Sequence, residues 1–499
     1  MNSFLYGMKE QNNYKLTENG GLAHKSTLSA VYDMFALCGA YRSRSDEDCI
    51  LMFKNALEEH KDLALKCLFY LGDCRGGQGE RRFFRVCFHW FCENYPASAT
   101  QLLKQIPEFR RWDDLLYATV GTKVEDKALE VVKEQLALDI QCKTPSLLAK
   151  WLPSENASST QTKFMGNKVR EYLGLTHKQY RKVLSELRSR INIVEKLMSE
   201  NRWEEIEFDK IPSKAGLIYK NAFARRDIIA KKYETFAKDE NTKVNADTLY
   251  PYEVVSKATD TFRGWGYGQT LSNTDRAMIE KYWNNLPDYF DGKQSNMLCV
   301  VDTSGSMRGA DAAAPINVAI SLGMYCAERA GGPFKNHYIS FSSRPQLIKI
   351  EGVDFVDEVK RIYQTNLCQN TNLTGTFDML LNIADRPTTK EEDIPETIVV
   401  ISDMEIDSGS DWDNHWGREV AATEMEKVRK KWAAHGHKLP RLIYWNVAAR
   451  HNTILDSGPS VTFVSGASPS IFESVITGKN GVALMLDKLQ SKRYSEIKF

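Results

Sequence analysis

The strongest constraint on this 499-residue chain is a change of hydrophobic period near Met297. Before it, apolar residues recur three and four apart, the spacing of amphipathic helices; after it, short apolar runs alternate with helical stretches. The runs MLCVV, HYISF, QLIKI, TIVVIS, RLIYWNV and VTFV are near-continuously apolar, as parallel strands covered on both faces are. Between them, amphipathic helices are predicted at Ala312–Ala330, Thr376–Ala384, Glu419–His435 and Ser470–Thr477. Strands and helices in alternation give a doubly wound α/β sheet, which binds ligands beyond the carboxyl ends of its strands.

Upstream, few strands are expected. Helices are predicted over Asp48–Glu59, Asp62–Leu71, Arg81–Asn94, Lys127–Leu138, Gly216–Thr235 and Ser272–Asn284, and one stripe of apolar residues runs from Tyr180 to Met198. Short breaks rich in Gly, Pro or Asn suggest a stack of helical hairpins in which each pair covers the apolar face of the next. The polar stretch Asp288–Asn296 is the natural linker to the sheet.

With 66 Lys and Arg against 65 Asp and Glu, the formal charge of +1 argues against nucleic-acid binding through bulk charge, so any basic surface must be local. One such excess lies between Gln141 and Arg190, about ten Lys or Arg against about three Asp or Glu. Ten irregularly spaced cysteines read as reduced thiols, and Cys87 and Cys92, in an apolar helical run, as core residues and not zinc ligands. The amino terminus lacks a basic-then-apolar signal, and no apolar run approaches the ~18 residues needed to span a bilayer. A soluble, cytoplasmic protein is expected.

Immediately after the first predicted strand comes Asp302-Thr303-Ser304-Gly305-Ser306-Met307. A carboxylate and two hydroxyls at alternate positions, on a loop turned by Gly305, can aim oxygens at one point past the strand end. Such ligands suit a small, hard cation that keeps several waters, Mg2+ or another divalent ion, more than Zn2+. Further oxygens are expected from Thr371, ahead of a helix, and from Asp403, just after TIVVIS. Thr374 is the rival for the second loop. Asp407, Asp411 and Asp413 read as a solvated acidic loop.

The segment Met297–Asp403 resembles a von Willebrand factor A domain with its metal-ion-dependent adhesion site. By that resemblance Asp302, Ser304 and Ser306 form the first metal loop, Thr371 the second and Asp403 the third. The tracts LFYLGDCRGGQGERRFF, IPEFRRWDDLL, SLLAKWLPSENASS, PRLIYWNVAAR and VSGASPSIF are similar to the TROVE-type proteins, the Ro ribonucleoprotein family and above all its uncharacterised relatives. The resemblance implies a multidomain fold: an α-helical repeat (HEAT-like) domain over 1–290, then an α/β doubly wound A-type domain over 291–499. It also implies a non-enzymatic RNA-binding protein, with Lys163, Lys168, Arg170, Arg181 and Lys182 as candidate RNA contacts. The alternative is a protein-interaction scaffold in which the metal captures an acidic residue of a partner.

Other motifs have plainer readings. Arg75-Gly76-Gly77-Gln78-Gly79-Glu80-Arg81-Arg82 lacks the Gly-Lys-Ser/Thr ending and the preceding strand of a phosphate loop, and reads as an inter-helical turn. His177, His435 and His437 have no partner at catalytic or ligand spacing and read as surface residues. No nucleophile elbow or zinc-protease helix is present.

Overall fold

The computed structural model describes residues 9–10, 12–191, 194–260, 271–309, 311–341, 345–365, 371–407, 423–456, 458, 460–475 and 478–499. Among the described residues, helices dominate from Ala30 to Asn284, and a six-stranded sheet follows.

In the helical part, α1 (Ala30–Leu37), α2 (Asp46–Glu59), α3 (Lys61–Gly72) and α4 (Arg81–Asn94) pack each on the next. Local signals set their ends. The Ser45 side chain caps α2, whose first turn carries Asp46, Glu47 and Asp48 against the positive end of the helix. The Glu80 carboxylate accepts the free amides that open α4. The buried face of α4 is Phe83, Phe84, Cys87, Phe88 and Phe91, three and four apart, and meets Phe53 and Phe69 edge-on. Cys87 and Cys92 are core residues, and the nine described cysteines are free thiols.

The tract from Arg75 to Arg82 is the expected turn between α3 and α4. Arg81 bonds Asp113 and Asp114, Arg82 pairs with Asp46, and Arg75 bonds the Glu108 carbonyl. His177, His435 and His437 are engaged by Glu155, Asp385 and Glu391 near the surface.

Two predicted helices are each divided. Gly216–Thr235 resolves into Ser213–Arg225 and Asp227–Lys238, broken at Arg226 with ψ 107°. The buried stripe changes phase there, from Leu217 and Phe223 to Ile229 and Tyr233, so no single helix buries both sets. The stripe from Tyr180 likewise stops at Arg190, Ile191 is extended, and Lys196 lies on a separate short helix, Val194–Ser199.

The sheet comprises β3 (Met297–Asp302), β4 (His337–Phe341), β5 (Gln346–Lys349), β6 (Thr397–Ser402), β7 (Arg441–Asn446) and β8 (Val461–Ser465), in the order β5-β4-β3-β6-β7-β8. All six predicted strands form, but QLIKI is not a covered parallel strand. It pairs antiparallel at the edge with its residues largely exposed, a place where apolar continuity is not required. The helix Pro315–Arg329 is buried along almost its whole length between β3 and Pro251–Thr259 of the helical part. Gly323 permits this closeness, since a Cβ there would meet Val301 Cγ2 at 2.5 Å. The helices Phe355–Thr365 and Gly481–Leu489 were not expected, and Ser470–Thr477 begins instead as short turns at Pro469–Ile471 and Phe472–Val475.

Connections run one way from β3 to β4 and the other from β6 to β8, so β3 and β6 flank the point where strand order reverses. In open α/β sheets ligands bind at the carboxyl ends beside that point.

Both chain ends cross the expected domain boundary. A hairpin of β1 (Tyr14–Leu16) and β2 (Leu22–His24), absent from the sequence reading, lies on the sheet domain, where His24 and Ile454 exchange backbone hydrogen bonds. Helix α1 packs on β8, and the Phe463 amide donates to Tyr32 Oη at 3.0 Å. At the other end Arg493 and Tyr494 bond the fully buried Asp73. Replacing Asp73 with Ala should strand both donors and cost about 2 kcal/mol, measured as a lower urea midpoint by tryptophan fluorescence; an unchanged midpoint would show that the carboxyl terminus is not clamped there.

Candidate metal centre

Strand β3 ends at Asp302 and β6 at Ser402, side by side in a parallel ladder. Parallel pairing is what delivers the loops of two distant segments to one edge. Asp302 is fully buried: its Oδ1 accepts the Ser304 amide at 2.9 Å, and its Oδ2 accepts the Ser402 hydroxyl at 2.6 Å. Ser304 Oγ lies 3.0 Å from Ser306 Oγ, and the Ser306 side chain favours the charged form of the neighbouring Asp403 carboxyl. Asp302, Ser304, Ser306 and Asp403 thus form one connected set.

Thr371 joins the edge two residues further along. Its hydroxyl lies 3.0 Å from both the Glu405 carbonyl and Asp407 Oδ1, and its amide donates to Asp407 Oδ2 at 2.9 Å. The Glu405 amide bonds back to Asp403 Oδ1 at 3.2 Å. Asp407 is therefore no solvated loop residue but a half-buried anchor for Thr371; Asp411 and Asp413 lie outside the described residues. Thr374 sits in the first turn of Leu373–Ala384.

The loop after β6 turns at Met404, a buried non-glycine residue with φ 66°. Its amide is taken by Ser402 Oγ at 3.0 Å. This strained turn lies between Asp403 and Glu405, and such strain persists only where the surroundings impose it.

Burial, and next the charge of Asp403, push the Asp302 carboxyl well above the usual carboxylate range. Burial raises Asp403 as well, against the opposing pull of Arg450, whose Nη2 stands 2.8 Å from Asp403 Oδ2. Two like charges in a dry site favour either a proton or a cation. Among the described residues no group of three or more His, Cys, Asp or Glu side chains could share a metal. Buried carboxylates, adjacent hydroxyls and a Thr303 hydroxyl without a partner among the described residues fit a hard, oxygen-seeking divalent ion.

Sequence reasoning missed Ser402, Glu405 and Arg450. Arg450 was within reach: β7 neighbours β6, so the loop after RLIYWNV must arrive at the same edge.

Of the proposed RNA contacts, Lys168 pairs with Glu125 at 2.5 Å and Arg170 with Glu155 at 2.8 Å, while Lys163, Arg181 and Lys182 are exposed. The structure does not bring these five into one uncovered cationic surface.

Ser402→Ala should leave the Met404 amide and Asp302 Oδ2 each one bond short and cost about 2 kcal/mol. Thermal unfolding in chelator reads this loss, and an unchanged melting temperature would mean that Ser402 does not hold the two loops together.

Residues 296–494 match a family model described as a domain of unknown function, DUF7788, and residues 17–120 and 138–293 match another, DUF2828. An uncharacterised protein of Acanthamoeba polyphaga mimivirus, L728, is 27% identical over 528 residues, covering 96% of this chain and 87% of that protein. Among solved structures, the Ro (RSR) protein of Deinococcus radiodurans aligns over 95% of this chain and 100% of its own at 12% identity and a TM-score of 0.39. Among the described residues no helix is long and apolar enough to cross a membrane. With its helical part matched over residues 17–120 and 138–293, more than half of the chain, this chain belongs to the DUF2828 family.

Proposed function

We propose that this protein is a non-enzymatic binding protein whose sheet domain holds one Mg2+-class cation at the carboxyl edge. The observation that carries the reading is the buried pair Asp302 and Asp403, with the hydroxyls of Ser304 and Ser306, 3.0 Å apart, on the same loop as Asp302. Asp302, Ser304 and Ser306 would hold the ion, with Thr371 and Asp403 completing the set. A bound ion of this kind offers an open position to an oxygen ligand. The chain's own residues do the positioning: Ser402 and the Ser304 amide fix Asp302, and Arg450 fixes Asp403.

Titration calorimetry tests this reading. Wild-type protein should take up about one equivalent of Mg2+ or Mn2+, and Asp302→Ala should weaken uptake at least about tenfold by removing a charge that opposes the cation. Equal uptake by both proteins would place the ion elsewhere, and no uptake by either would end the proposal.

A second reading, RNA binding by the helical part, is favoured by the exposure of Lys163, Arg181 and Lys182 on neighbouring helices, Thr160–Tyr172 and His177–Arg190. Neutralising these three should lower the salt slope of RNA binding by up to roughly three units, about one per phosphate contact. Neutralising the ion-paired Lys168 and Arg170 should change it little. Equal slopes for all variants, in filter binding at several salt concentrations, would reduce the tract to a solvated face.

A further inference from the structure

The turn of the amino-terminal hairpin, Thr17–Gly21, lies across the loops that follow β6 and β7. Thr17 Oγ donates to the Ile406 carbonyl at 2.6 Å, and the Glu18 amide donates to Glu405 Oε2 at 2.7 Å. Asn19 Nδ2 donates to Thr371 Oγ at 2.8 Å and to the Glu405 carbonyl at 2.6 Å. The Glu18 carboxylate meets Arg450 Nη2 at 2.9 Å and His451 Nε2 at 2.9 Å. That Nη2 is the same nitrogen that holds Asp403. Glu18 therefore stands one guanidinium away from the candidate metal centre, and Asn19 touches one of its proposed donors.

We infer that this turn is a resident, displaceable ligand of the carboxyl edge, with Glu18 occupying the place that an acidic side chain of a partner protein takes when the turn is released. The inference deepens the function proposed above by naming the ligand class, a carboxylate, and rests on that reading only for the cation's share in binding it.

Three observations support displacement over a fixed structural contact. The side chains at the tip are reached by solvent, Glu18 at 38%, Arg450 at 33% and His451 at 51% exposure, whereas Asp403 behind them has none. Arg450 Nε has no hydrogen-bond partner among the described residues, so Glu18 uses one arm of a fork that can grip a carboxylate with two. The base of the hairpin is anchored independently, through His24 to Ile454 and Lys15 to Thr453, so the tip can lift while the strands stay. The fit is close: a Cβ at Gly21 would stand 2.9 Å from the carbonyl oxygens of both Ile406 and Asp407.

The test uses the full chain and two variants that lift the turn by different means. Glu18→Gln with Asn19→Ala removes the Glu18 ion pairs and the Asn19 hydrogen bonds while Thr17 keeps its own, and Gly21→Ala forces the backbone away. The probe is a fluorescein-labelled peptide of residues 13–25, NYKLTENGGLAHK, beside a copy with Gln in place of its Glu. In chelator, exchange of the Glu18 amide should rise at least about tenfold in both variants while β3 and β6 stay protected. A tethered ligand competes at roughly millimolar effective concentration. Both variants should therefore bind the Glu peptide at least about tenfold tighter than wild type does, and tighter than they bind its Gln copy. Equal binding by wild type and variants, no binding by any of them, or indifference to the Glu would each overturn the inference. Mg2+ is added last: if it leaves a Glu-dependent binding unchanged, the cation reading fails while the cis ligand stands.

Discussion

Two buried carboxylates that end up close together at the carboxyl edge of the sheet set the terms for the rest of this edge. Asp302 and Asp403 are both essentially inaccessible, and removing a charge from water costs several kcal/mol unless it is compensated. The surrounding residues supply that compensation in part. Ser402 and the Ser304 amide serve Asp302, while Arg450 and the Glu405 amide serve Asp403. What remains is an edge with two further acidic neighbours, Glu405 and Asp407, and hydroxyls from Ser304, Ser306 and Thr371. The αL turn at Met404 and the hairpin laid over the loops both follow from holding these groups in place.

The two ends of the chain tie this edge to the helical part. The first strands and α1 lie on the sheet domain, and the last residues lie on the helical domain. The ties differ in strength. At the carboxyl terminus, Asp73 is wholly buried and accepts from both Arg493 and Tyr494. At the amino terminus, the Glu18–Arg450 pair is solvent-accessible, and pairs of that kind are worth ~0.2–1 kcal/mol. The buried clamp thus belongs to the carboxyl end, while the tip of the hairpin combines this exposed ion pair with the hydrogen bonds of Thr17, Glu18 and Asn19 to the loop after β6.

Elements with a strong local pattern were legible in the sequence. The five covered strands and the helix Arg81–Asn94 were legible because burial alone demanded their apolar residues. Asp302, Ser304 and Ser306 were found because they are contiguous and follow a buried strand. Where local pattern and tertiary role part company, the reading failed. Arg226 breaks a helix through a phase change in a stripe that looks continuous in the letters. QLIKI is as apolar as its neighbours yet forms an exposed antiparallel edge. The hairpin was missed because three-residue strands carry almost no periodicity, and its partners lie hundreds of residues away. Asp407 looked like one of several acidic loop residues, and only the folded backbone shows it bonded to Thr371.

The central claim is that the carboxyl edge between β3 and β6 is a site for one divalent cation. Anomalous diffraction from crystals grown with Mn2+ tests it most directly, because it locates the ion without presupposing its ligands. The account predicts a single strong peak at coordination distance from the side chains of Asp302, Ser304 and Ser306, with Thr371 and Asp403 around it. No peak at that edge, with Asp302 and Asp403 held by hydrogen bonds and Arg450 alone, would contradict it.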